Sequence, residues 1–190
     1  LVSMGPAQAQ NFHDIIHAYE DLADKFGLWD AAGVMKEYGC SDDGFIDFRA
    51  WLIAQGKEVY LSALADPDSL AEVIPYGDCC FETLSYVGDH AYEQLTGKSA
   101  YDQTDQARYE TLLAELEQDI VYKGGIEFPR EGPELKQYLP RLCAAHPGWD
   151  GKTRWNVQQK EMRDLIHAGK DYDRRQTSNK KKRSRGGEAR

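Results

Sequence analysis

Apolar residues recur along this chain at intervals of three and four, and a sustained period-two alternation occurs nowhere. That spacing builds helices with one buried stripe rather than half-buried strands. Between Asn11 and Gly27, the residues Phe12, Ile15, Ile16, Tyr19, Leu22 and Phe26 fall on one face, with Asn11 as the expected cap and Gly27 as the expected stop. A shorter helix is expected over 28–39, weakened by the interior Gly33. Next, Phe45, Phe48, Leu52 and Val59 share a face beside Trp51, and Gly56 is placed to split or kink that run. Asp66 before Pro67, with Asp68 behind it, is a helix start: a cap, a first-turn proline and an acid near the positive end of the dipole.

The second half continues in the same period. Phe81, Leu84, Gly88, Ala91, Tyr92 and Leu95 lie on one side of a helix that Gly97 ends. Tyr109, Leu112, Leu113, Leu116 and Ile120 are the expected buried stripe of the next helix. Pro133 opens another, which Pro140 must kink or break. A last helix is expected over 151–169, carrying Trp155, Met162, Leu165 and Ile166. The pattern predicts an all-α, single-domain bundle of roughly six to eight helices. It spans residues 8–172, behind a disordered lead or cloning remnant at 1–7.

Composition refines this picture in two places. With 190 residues and 41% apolar side chains, one domain can bury a real core. No run approaches the roughly 18 apolar residues of a membrane span, and no basic segment followed by an apolar one marks a secretory signal. The four cysteines include the adjacent pair Cys79 and Cys80 and no C-x-x-C, which fits reduced thiols and a cytoplasmic setting. Charge is uneven: the chain carries −9, residues 173–190 carry +6 and the remainder therefore −15. The tail has almost no apolar residue, so it is expected to be disordered.

Candidate chemistry is sparse. His13 and His17 have the i, i+4 spacing of a zinc-protease helix, but Asp14 stands where the glutamate would be and no third ligand is evident, so no metal is expected. Cys143 and His146 lack a second ligand pair, and neither a phosphate loop nor G-x-S-x-G occurs. The stretch from Ser41 to Trp51 sets two acids and an arginine among large aromatics. It is either a cap and a core face, or a pocket where Asp42, Asp43, Arg49 and Trp51 meet a ligand or partner.

That stretch, with Trp29 and Ala32 before it and Asp66, Pro67, Asp68, Ser69 and Leu70 after it, resembles the bacterial family called domain of unknown function 4240. The resemblance covers about residues 8–97 and leaves 98–172 as a helical extension. It implies a small helical domain and no catalytic residue, and it makes the Ser41–Trp51 stretch the natural place to look for a site. No cofactor is implied.

These features give one expected function, with two alternatives behind it. The first is a non-catalytic interaction or regulatory module with a protein partner, motivated by the acidic body and the many aromatics. The second is weak nucleic-acid contact confined to the tail through Lys180, Lys181, Lys182, Arg183 and Arg185. The third is a small-molecule site or enzyme with Asp42 or Asp43 as general base and Arg49 holding an anion. No membrane partner is expected.

Overall fold

The computed structural model describes residues 1–75, 77–124, 132–149 and 151. Its helices are α1 (Pro6–Leu22), α2 (Phe26–Met35), α3 (Asp42–Ala54), α4 (Lys57–Ala65), α5 (Thr83–Thr96), α6 (Gln106–Glu117), α7 (Gly132–Tyr138) and α8 (Pro140–Ala145). Three short 3-10 turns, Val2–Met4, Pro67–Glu72 and Tyr101–Gln103, join them. No strand occurs among the described residues, so the all-α expectation holds. Nor is any described helix long and apolar enough to cross a membrane. The basic tail, and the predicted last helix from residue 152 on, lie outside the described residues.

Several boundaries move. α1 begins at Pro6, with Gly5 at φ 90 before it, so Asn11 is interior and residues 2–7, expected to be unstructured, are a 3-10 turn and the first helical residues. Pro6 serves as well as a polar cap because its missing N–H is one the first turn could not have bonded. The helix stops at Leu22, and Gly27, expected as the stop, lies buried inside α2. α2 ends at Met35, short of Gly39. Gly56, at φ 92, does split the aromatic run into α3 and α4. Asp66 caps as expected, but the element it starts is a 3-10 turn. α5 starts at Thr83, after Cys79 has turned the chain at φ 57, and Gly97 ends it in the left-handed region. Pro140 breaks the helix it interrupts into α7 and α8.

The core is built around α2, which is buried from Gly27 through Met35. Trp29 stacks on Phe45 at 4.6 Å and 16°, and donates its indole N–H to the Cys40 carbonyl at 3.0 Å. Phe48, Trp51 and Leu52 of α3 are wholly buried beside it. Leu135, Leu139, Leu142 and Trp149 complete the same core from far along the chain. On the other side α1 packs along α5 so closely that a Cβ on Gly88 would lie 2.7 Å from the His13 Cα. α6 packs mainly on α1, so its expected stripe is only half-buried and none of its residues is fully covered.

Candidate functional site

The Ser41–Trp51 stretch resolves first. Ser41 caps α3, its hydroxyl accepting the Gly44 N–H at 3.1 Å. Asp42 and Asp43 occupy the first turn, exposed, where the helix dipole favours negative charge. Arg49 points elsewhere. Its guanidinium donates to the Glu20 carbonyl at 2.9 Å, sits 3.8 Å from the Asp24 carboxylate and lies over the Phe45 ring at 5.1 Å. Since Glu20 is in the last turn of α1, Arg49 satisfies one of the carbonyls that the end of a helix leaves open. Trp51 is fully buried in the core. The fold therefore sends these four candidates to water, to the end of α1 and to the core, rather than to one surface.

His13 and His17 do come together, edge to face at 4.3 Å, with the Tyr101 ring 4.4 Å from the first and 5.1 Å from the second. His17 Nδ1 is 3.0 Å from one Glu20 oxygen, and the Ser85 hydroxyl of α5 donates to the other at 2.5 Å. Among the described residues no group of three potential metal ligands forms. This is a polar seam between α1 and α5. Burial, then the neighbouring His17, lowers the pKa of His13 below its ordinary 6.5, against weaker opposing pulls from Asp14, Asp89 and Glu20. The unfolded chain thus takes up a proton that the folded one resists. Stability is full above about pH 6.5 and falls as the pH drops through the lower folded value. We expect the melting temperature to fall between about pH 7 and 5, and to fall less steeply in His13→Gln, read by circular dichroism across that range.

The thiols are free and quiet. Burial pushes Cys40 up to about 12 and Cys79 up to about 11, which withholds the reactive thiolate at neutral pH. Cys143, half-buried, lies 3.9 Å from the Leu135 carbonyl and, among the described residues, joins no group of three potential metal ligands.

The feature that offers a surface is a groove. Where α3 passes into α4 at Gly56, α6 and the residues after it run alongside and leave a cleft of about 210 Å³. Tyr19, Ile53, Tyr60, Leu61, Leu116 and Ile120 line it. The floor is braced: the Tyr60 hydroxyl donates to the Tyr19 carbonyl at 2.7 Å, and the two rings meet edge to face at 5.3 Å. Burial raises the Tyr60 phenol above its ordinary value, so it stays a neutral donor. Lys57 and Asp119 face each other at 3.8 Å, and both are about three-quarters exposed at 76% and 77%. Glu115, also exposed, lines the groove beside Asp119, so two carboxylates and one ammonium stand at the edge of the apolar floor. Periodicity found Leu116 and Ile120, but as core residues; their partners Ile53 and Tyr60 are some 60 positions away in sequence, and no local pattern pairs them.

Residues 1–94 match the family model described as protein of unknown function (DUF4240). This half of the chain belongs to that family. No curated protein and no solved structure matches the chain. The DUF4240 segment contains the Ser41 cap, the aromatic core face and one wall of the groove, from Tyr19 to Leu61. The opposite wall, Glu115 to Ile120, lies beyond the matched residues. The groove is thus a joint product of the DUF4240 segment and of α6 with its C-terminal continuation.

Proposed function

We propose that this protein is a non-catalytic helical interaction module, and that its groove receives an apolar side chain from a basic segment of a partner protein. The observation that carries this reading is an open, aromatic-floored groove edged by carboxylates. Apolar anchors entering such clefts supply most of the affinity of protein contacts, while charges at the border set approach and register. The dispersal of Asp42, Asp43, Arg49 and Trp51 supports it from the other side, because those residues stabilise the helices and do not converge on a substrate.

Leu116→Arg tests the reading, since Leu116 is half-buried in α6 and its replacement sets a cation into the floor. In pull-downs from native-host lysate at low and high salt, wild type is expected to retain a partner at low salt and release it at high salt. The variant, melting as wild type does, is expected to bind about 30-fold more weakly, the loss that goes with a hot spot of about 2 kcal/mol. Equal retention by both proteins, or retention that salt does not change, would remove the proposal.

A further inference from the structure

A second cleft, which shares no lining residue with the groove, lies under the start of α2. It holds about 270 Å³ and is walled by Phe26, Leu28, Leu64, Pro67, Tyr122 and Tyr138, with Asp24, Lys25, Gly27 and Lys123 also facing it. Its lining is therefore mainly apolar and aromatic, with two ammonium groups set into it. The Lys25 ammonium sits 4.5 Å over the Tyr122 ring, and that of Lys123 sits 4.3 Å over the Tyr138 ring. A cation held on a ring face keeps its position while its N–H donors stay free for another acceptor.

Those donors are mostly uncommitted. Lys123 spends one on Asp66 at 2.8 Å, and Asp66 is shared with Arg141 at 3.2 Å. Among the described residues Lys25 enters no ion pair. The carboxylate of Asp24 leans toward Arg49 at 3.8 Å and is largely exposed, so it competes weakly. α2 opens at this cleft with no side-chain cap and no acid in its first turn, which adds to the positive side of the balance without deciding it.

We infer that this cleft binds a small aromatic anion, an aryl carboxylate or aryl phosphate. The flat body lies against Leu28, Leu64 and the tyrosines, and the anionic head lies between Lys25 and Lys123. An apolar cavity with a few convergent charged groups is the usual form of a small-ligand site. The inference is independent of the groove and of any protein partner.

The test uses the full chain and four probes: benzoate, phenyl phosphate, neutral benzamide and inorganic phosphate, titrated by NMR. Benzoate and phenyl phosphate are expected to saturate, shifting signals of Lys25, Tyr122, Lys123 and Tyr138, with benzamide and inorganic phosphate much weaker. Lys25→Met keeps the stem on the Tyr122 ring and removes the charge, and it is expected to weaken both aromatic anions about tenfold. Lys25 is exposed, so its loss leaves the core untouched. Benzamide binding as well as benzoate would overturn the role of the charge. Inorganic phosphate binding as well as phenyl phosphate would overturn the role of the aromatic body. Unchanged affinity in Lys25→Met, shifts elsewhere on the protein, or no saturation by either aromatic anion would overturn the site itself.

Discussion

Trp51→Ala is expected to cost about 3–5 kcal/mol, the range for deleting a large aromatic from a packed core. The indole is wholly buried and sits 5.4 Å from the Phe48 ring, so the cavity it leaves has rigid walls and little means of collapse. Against a total stability of about 5–15 kcal/mol for a natural domain, that loss removes a fifth or more of the margin and, at the low end of the range, nearly all of it. Asp42→Asn and Asp43→Asn, earlier in the same motif, are expected to cost a few tenths to about 1 kcal/mol each, because they forfeit only a favourable place near a helix dipole. Urea denaturation followed by tryptophan fluorescence measures all three. A Trp51 variant as stable as wild type would contradict the packing described. The contrast also guards the function experiments: a partner lost on changing Trp51 reports unfolding, not contact.

The second large effect is expected at Asp68, which is buried. Its carboxylate accepts the Leu142 N–H at 2.9 Å and the Arg141 N–H at 3.2 Å, and the Arg141 Nε–H at 3.0 Å. It thereby caps α8 from a turn more than 70 residues earlier. Asp68→Ala strips three donors of their acceptor and is expected to cost about 2–4 kcal/mol, since an unpaired buried donor costs roughly 1–3 kcal/mol. Arg141→Ala is expected to shift the denaturation midpoint much less, because its side chain is half-exposed at 49% and its further pairs with Glu72 and Asp66 are screened by water. If the two denaturation midpoints shift equally, the joint is an ion pair and not a cap.

Asp68 also marks the limit of what local sequence conveys. Beside Asp66 and Pro67 it was legible as a first-turn acid, and that local role is real. That its principal partners are the amides of α8 was not legible, because nothing near residue 68 distinguishes an acid facing its own helix from one facing a helix yet to come. The punctuation that acts within a few residues survived: the Asp66 cap, the split at Gly56, the stop at Gly97 and the break at Pro140. Gly27 failed as a stop because a glycine can also sit inside a helix, and here it lies buried in the first turn of α2. Asn11 failed as a cap because Gly5 and Pro6 begin the helix a turn and a half earlier, on residues too polar to show periodicity. The stripe of α6 had the right phase but only half the burial, since burial depends on how many neighbours arrive. The same dependence hid the groove.

That the core is closed by Leu135, Leu139, Leu142 and Trp149 has a consequence for how the chain is made. Ribosomes add about 5–20 residues per second, so roughly 4–16 s pass between Leu70 and Trp149. During that interval the face of α2 and Leu70 that α8 covers in the finished fold lacks its partner from this chain. A nascent chain in that state is a natural client for chaperones that hold exposed apolar surface, and its passage to the finished fold waits on the arrival of α8 beneath the carboxylate of Asp68.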